Sequence, residues 1–316
     1  MRLIFMGTPD FAVTILKAVC ETEHEVVAVY TQPDRRSGRG KKMLAPEVKV
    51  FAESRGLPVF QPDNLHDAEA FQTFRDLHAD AAIVAAYGKI LPPTWLEALP
   101  KGCINVHASL LPTYRGAAPI QWAVRNGDAE SGISLMHMEE GMDTGGIYVQ
   151  EPLALNPDED SDTLFKRMAL LGGESIKKYL TPILTGDLLP VPQDEEKASY
   201  APKFERQDEE INWSDTAENI VRLNLAFGKS VGTYSFLDGK RLKIKEMTVS
   251  AESDIGKAPG TVLKTSKDRI LVQAGEGAVC LLTVQPAGKK AMPIHAYLNG
   301  AKVQVGNQFN RSDVKK

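Results

Sequence analysis

Asn105, His107 and Asp143 are the residues of this chain whose types and spacing could do chemistry together. Asn105 and His107 stand two positions apart at the end of an apolar run, Cys103–Val106, that reads as a strand, so their amide and imidazole leave the same face. The strand then breaks into a loop punctuated by Pro112 and Gly116. A neutral amide donor beside a titratable ring, at the carboxyl end of a buried strand, suits a carbonyl that becomes a tetrahedral oxyanion. Asp143 arrives within Gly141-Met142-Asp143-Thr144-Gly145. A carboxylate there can hold the imidazole in one tautomer and stabilise its protonated form. No serine or cysteine nucleophile is needed if the attacking group belongs to a substrate. The pattern therefore predicts acyl transfer between two bound substrates.

Each residue also has a plainer reading. Asn-x-His at a strand end can be a satisfied polar pair, and Asp-Thr-Gly is common at turns. The glycines beside Asp143 favour chemistry, because they let backbone approach a ligand closely. His137 lies on another apolar strand and reads as structural or pocket-lining.

The elements that must position these groups are legible as periodicity. Arg2–Met6, Val26–Thr31, Ala81–Ala86 and Cys103–Val106 are aliphatic runs of strand length. Phe11–Glu21, Glu47–Arg55, Asp67–Leu77 and Pro119–Asn126 have helical spacing, with further strands expected over Ser131–Met138 and Ile147–Leu155 and a long helix over Leu164–Ile183. Such alternation predicts an α/β fold, a doubly wound, Rossmann-like, mostly parallel sheet. Ligands bind such sheets beyond the carboxyl ends of the strands, where Gly7, Tyr87-Gly88 and His107 fall. The prolines and charges that follow read as a linker, 187–206, between a catalytic domain, 1–186, and a C-terminal domain, 207–316. The last domain offers one helix, Asp215–Ala226, and five short strands with glycine-rich turns, which suggests a small β-barrel.

Composition excludes several classes. The 316 residues are 43% apolar and 25% charged, as in ordinary globular proteins. Cys20, Cys103 and Cys280 have neither disulfide-like nor metal-like spacing, which predicts a reducing, cytoplasmic setting and no metal site. No apolar run reaches the length of a membrane span, so no membrane partner is expected. Gly7-Thr8-Pro9 lacks the further glycines of a dinucleotide loop, so no nucleotide cofactor is expected. Gly228-Lys229-Ser230 follows a helix and has Leu223 where a phosphate loop needs glycine, so it reads as a turn. The net charge of −4 is uneven: 205–316 hold 17 basic against 13 acidic residues, and 1–204 hold 20 against 28. A basic C-terminal part is compatible with a phosphate-rich partner.

Asn105-x-His107 with Ser109-Leu110-Leu111-Pro112, followed by Asp143 in Gly-Met-Asp-Thr-Gly, resembles the signature of the folate-dependent formyltransferases. The opening Met6-Gly-Thr-Pro-Asp-Phe-Ala12, and Thr31-Gln-Pro-Asp-Arg35 with Gly38-Arg39-Gly40-Lys41-Lys42, resemble the members of that family that formylate methionyl-tRNA. The likeness covers nearly the whole chain. It implies that Asn105, His107 and Asp143 are catalytic, that Ser109, Leu110, Leu111 and Pro112 border the folate site with Tyr87 and Gly88, and that the C-terminal barrel is OB-like. It also implies 10-formyltetrahydrofolate as formyl donor and methionyl initiator tRNA as acceptor, for an enzyme expected to work as a monomer. One departure stands at Phe227-Gly-Lys-Ser-Val231, where the family usually has an Asn-Pro-Trp-Pro-like turn.

Residues 35–42 carry five basic side chains and two glycines. Such a run is often only a solvated loop. Here it follows a strand ending at the expected substrate mouth, where Arg39, Lys41 and Lys42 could track phosphates. Lys203 and Arg206, and more weakly Lys289 and Lys290, are candidates of the same kind. Two other functions remain open at this point. A formyltransferase acting on an amino-sugar nucleotide or another small amine would carry the same trio. A non-catalytic RNA-binding protein with an OB-like domain would not need the trio at all.

Overall fold

Near-continuous burial of short aliphatic strands organises the N-terminal part of the chain. The computed structural model describes residues 1–37 and 42–311. Contacts divide the chain into two units: 1–119, 130–154 and 165–201 form the first, and 120–129, 155–164 and 202–316 the second. In chain order the first part carries β1 (Arg2–Gly7), α1 (Asp10–Cys20), β2 (Glu25–Tyr30), β3 (Arg35–Ser37), β4 (Lys42–Leu44), α2 (Glu47–Ser54), β5 (Val59–Phe60), α3 (Ala68–Asp76), β6 (Ala81–Ala85), α4 (Pro93–Leu96) and β7 (Cys103–His107). Then come α5 (Pro119–Asn126), β8 (Glu130–His137), β9 (Ile147–Ala154) and α6 (Ser161–Thr185).

The main sheet runs β5-β2-β1-β6-β7-β8-β9. Its first five strands are parallel, β8 returns antiparallel to β7, and β9, antiparallel to β8, runs with the first five again. All five residues of β6 and of β7 are buried, as expected for parallel strands covered on both faces. One face packs Ile4, Met6, Tyr30, Val84 and Cys103 against Phe74 and Trp95. Tyr30 meets the rings of Phe60, Phe74 and Trp95 at 5.1, 5.7 and 5.8 Å, and Trp95 Nε1 donates to the Leu65 carbonyl at 2.8 Å. These contacts fix the register that lines up Gly7 with Ala85 and Val84 with Asn105, so β1, β6 and β7 end along one edge.

The expected α/β sheet is present, and its elements begin and end within a few residues of their expected positions. The basic stretch differs from a simple loop. Its flanks, β3 and β4, pair antiparallel with Arg35 opposite Leu44 and Arg36 opposite Met43. At their base, Lys49 Nζ lies 2.9 Å from Asp34 Oδ2 and Gln61 Nε2 2.8 Å from Asp34 Oδ1; these hydrogen bonds, Gln61 first, hold the Asp34 carboxyl below its ordinary range.

In the second unit, α7 (Ala217–Val231) is followed by β10 (Thr233–Leu237), β11 (Lys240–Ser250), β12 (Val262–Ser266), β13 (Arg269–Gln273), β14 (Ala278–Pro286), β15 (Met292–Pro293), α8 (Ile294–Leu298) and β16 (Phe309–Asn310). The sheet order is β12-β13-β14-β11-β10-β16, antiparallel throughout, an open half-barrel of the expected OB-like kind. Trp213, Ile220, Ile244, Leu281 and Phe309 lie in its core. Asn224, buried on α7, donates to Thr233 Oγ1 and to the Ile244 carbonyl, so the helix is tied to the sheet by a satisfied polar contact. The unusual segment Phe227–Val231 ends α7 at a kink, with Gly228 at φ 63°. There the Asp162 carboxylate accepts from Ser230 N at 2.8 Å and Ser230 Oγ at 2.7 Å. A carboxylate therefore takes the Ser230 N–H, and in place of the simple turn expected from the sequence the chain kinks at Gly228 and resumes helical geometry to Val231.

Gly7 has a packing reason. A Cβ there would lie 2.6 Å from Ala12 Cβ and 2.8 Å from the Ala85 carbonyl oxygen, so α1 leaves β1 too closely for any side chain. Gly7→Ala should lower unfolding free energy by about 1–3 kcal/mol, the usual cost of overpacking, as measured by chemical denaturation.

Candidate active site

The site grows from the carboxyl end of β7. Cys103, Asn105 and His107 share one face of that strand, so the face that begins as core ends in two polar side chains. Antiparallel pairing sets Met136 opposite Asn105 and Ser134 opposite His107, which holds the strand end against β8. Asn105 and His107 are 9% and 6% exposed, so their polar atoms need partners inside the protein.

Asp143 supplies them. Its Oδ1 lies 3.3 Å from Asn105 Nδ2, and its Oδ2 lies 3.6 Å from His107 Nδ1 and 2.9 Å from Gly116 N. The carboxylate fixes which way the Asn105 amide faces, because its carbonyl would be repelled there. One amide hydrogen is thereby used, and among the described residues no hydrogen bond takes the second. The other imidazole nitrogen, Nε2, lies 2.9 Å from the Tyr114 carbonyl, an acceptor only, so Nε2 carries the hydrogen in the neutral ring. The tautomer is thus set by a backbone carbonyl, and Nδ1 is left with its lone pair beside Asp143. A proton gained at Nδ1 would face that carboxylate.

Both partner loops hold unusual backbone. Tyr114 has φ 63° and Asp143 φ 53°, left-handed conformations that non-glycine residues seldom adopt and that cluster at functional sites. The segment 191–201, within the span expected as a linker, supports both loops. Ser199 Oγ accepts from Tyr114 N at 2.9 Å, and Arg115 exchanges backbone hydrogen bonds with Ser199 and Ala201. Gln193 Nε2 donates to the carbonyls of Asp143 and Gly145 at 2.7 and 2.8 Å. Gln193, Ser199 and Glu195 carry no motif that would single them out in the sequence.

The loop after β7 is braced from below. Ser134 Oγ donates to the Ser109 carbonyl and accepts from Leu111 N, and Gln150 Nε2 donates to the Leu111 carbonyl. Ser109 spends its own hydroxyl on the Thr113 carbonyl at 2.6 Å and is fully buried, as is Leu111. Leu110 and Pro112 are the half-buried members of the four. Of the other pair expected beside them, Gly88 is exposed, but the Tyr87 ring is 2% exposed and belongs to the aromatic core. Only the Tyr87 backbone serves the sheet edge, its carbonyl accepting from Thr8 Oγ1 and Gln32 Nε2. Arg39 and Lys41 lie outside the described residues, and Lys42 opens β4. Lys203 and Arg206 are exposed, as are Lys289 and Lys290.

Residues 1–180 match the family model described as formyl transferase, and residues 203–302 the one described as formyl transferase, C-terminal domain. The methionyl-tRNA formyltransferase of Myxococcus xanthus is 44% identical to this chain over 307 residues, 97% of each protein. That of Caldanaerobacter subterraneus is 43% identical over 307 residues, 97% of this chain and 99% of the relative. Among solved structures, the N-formyltransferase of Helicobacter canadensis in complex with folinic acid and dTDP-3-aminofucose aligns with a TM-score of 0.65 at 19% identity, covering 90% of this chain and 98% of that one. A HypX variant from Aquifex aeolicus aligns at 0.66 and 17% identity, covering 96% of this chain and 49% of that one. At such identities the structural likeness carries the fold alone.

Proposed function

Because the chain belongs to the formyl transferase family, we propose that it transfers a formyl group from 10-formyltetrahydrofolate to the α-amine of methionine esterified to initiator tRNA. The observation that carries the substrate choice is the reach of the likeness. Relatives named methionyl-tRNA formyltransferase match both units at 38–44% identity over 96–99% of the chain. Two solved sugar formyltransferases share the fold at 17–18% identity. Three free cysteines, one of them fully buried, support the expected reducing, cytoplasmic setting.

On this reading the edge formed by the ends of β1, β6 and β7 receives the donor, with the exposed backbone at Ala86 and Gly88 and the half-buried Leu110 and Pro112 as its borders. The donor supplies a formyl carbon already bonded to nitrogen. The free amine of the acceptor bonds to that carbon while its oxygen takes on negative charge, and the unused Asn105 amide hydrogen is aimed at that oxygen. His107 Nδ1 takes the proton that the attacking nitrogen sheds, and Asp143 at 3.6 Å offsets the imidazolium charge. The carbon–nitrogen bond to the folate then breaks, and its nitrogen is protonated, the imidazolium being the nearest acid in this set. Lys203 and Arg206 on the second unit, and Arg39, Lys41 and Lys42 beyond β3, are the phosphate contacts this function calls for.

The direct test is formylation by the purified protein, comparing methionyl-tRNA with a panel of amino-sugar nucleotides. Formylation of methionyl-tRNA alone is expected; preference for an amino sugar contradicts the proposal. Asn105→Ala should cost the turnover rate about 2.7–4 kcal/mol in barrier height, typical for one oxyanion donor, while donor affinity measured by titration changes little. Substituting Arg39, Lys41 and Lys42 together with alanine should weaken use of methionyl-tRNA and leave donor affinity intact. Each lost phosphate contact should flatten the log–log salt dependence by about 0.7–0.9, measured as kcat/KM against salt. An unchanged salt slope would remove this stretch from the tRNA interface.

A further inference from the structure

Asp143 is gripped from two sides, and both grips lead to Arg115. From one side, Gly116 N, the next residue along, donates to the Asp143 carboxylate at 2.9 Å, while the carbonyl of Tyr114, the preceding residue, receives His107 Nε2 at 2.9 Å. From the other side, the amide of Gln193 spends both hydrogens on the carbonyls of Asp143 and Gly145. Its oxygen is taken by Arg115, Nε at 3.1 Å and Nη2 at 2.8 Å. Arg115 has no exposed surface, and its remaining edge forms a two-point contact with Glu195 at 2.9 and 2.7 Å. The guanidinium's planar fork makes this arrangement rigid, and it leaves the Gln193 amide one orientation, donors toward the carbonyls and acceptor toward Arg115.

We propose that Gln193, locked by Arg115, is a positioning residue that holds Asp143 in its left-handed conformation so that the carboxylate meets Asn105 and His107. This rests on the proposed formyl transfer. The peptide at Asp143 sits at φ 53°, and a loop relieved of the two Gln193 hydrogen bonds has an extended alternative open to it. A rotation there moves the carboxylate away from both partners. Glu195 is the lesser support, because its side chain is 68% exposed and its pairing is screened by solvent. The Arg115 guanidinium nonetheless holds the Glu195 carboxyl below the usual carboxylate range, chiefly by hydrogen bonding.

Gln193→Glu keeps the length of the side chain and its contact with Arg115 but turns an oxygen toward two carbonyls. Gln193→Met keeps the length and supplies neither donor nor charge. Misplacement of a reacting group by about 1 Å typically costs about a hundredfold in rate. Both variants should therefore lose about tenfold to a hundredfold in kcat, with KM for the folate donor within about threefold of the parent and with cooperative unfolding preserved. A readout independent of catalysis is the 15N signal of His107 Nδ1 in the free protein, which should move in both variants as the carboxylate departs. If the parent protein proves inactive toward methionyl-tRNA, the functional proposal fails while this signal still decides the positioning role. Wild-type kcat in both variants, or an unmoved His107 signal, overturns the inference. So does failure of both to fold, which would make Gln193 a structural support.

Discussion

The carboxylate of Asp143 is the contact on which the rest of the site depends. It orients the Asn105 amide through one oxygen, and through the other it accepts the Gly116 N–H and faces the His107 ring. Hydrogen bonds to a charged group are worth about 1.5–3 kcal/mol each, roughly twice a neutral one. A partly buried carboxylate without them would be costly, so loop, strand and imidazole settle together around the charge. Remove that charge and Asn105 loses its fixed orientation, while His107 loses the group that would support its protonated form.

The architecture serves this contact in a specific way. Parallel β1, β6 and β7 end on one edge because their buried aliphatic side chains fix the register. β7 presents Asn105 and His107 there by the two-residue period of a strand. The antiparallel β8 returns beside it, and the turn to β9 delivers Asp143 to the same edge. Residues 191–201 then close over the loops, so a segment far along the chain keeps both His107 and Asp143 in place. The second unit adds an antiparallel half-barrel with its own core and exposed basic residues, which suits a large polyanionic acceptor better than a small amine.

What could be read beforehand follows from range. Strand and helix periods are local, so the sheet, the long α6 and the position of Asn105 and His107 were legible in the residues themselves. Asp143 was legible through its glycine-flanked motif and the family resemblance that motif carried. Gln193, Ser199 and Glu195 were not, because their contacts are side-chain hydrogen bonds across 48 to 85 positions and leave no periodic trace. Tyr87 shows a different limit. The two-residue alternation stops at Ala86, whose φ of 46° turns the chain and sends the next ring back into the core. The β3–β4 pair was hidden for a third reason: its charged residues lack the alternation that marks a half-buried strand. The break in α7 at Gly228 was readable as an interruption of the helix, but its partner Asp162, 68 positions away from Ser230, was not.

The proposed function requires Asn105, His107 and Asp143 to act as one unit through a shared carboxylate. A double-mutant cycle on kcat, combining Asn105→Ala with Asp143→Asn, measures this directly. If the carboxylate orients the amide, much of the Asn105 contribution is already lost in Asp143→Asn. The double variant should then be only slightly slower than the slower single variant, the strong non-additivity seen when groups work together. Losses that multiply, each substitution acting as though the other were absent, would show that the three groups do not act as a unit.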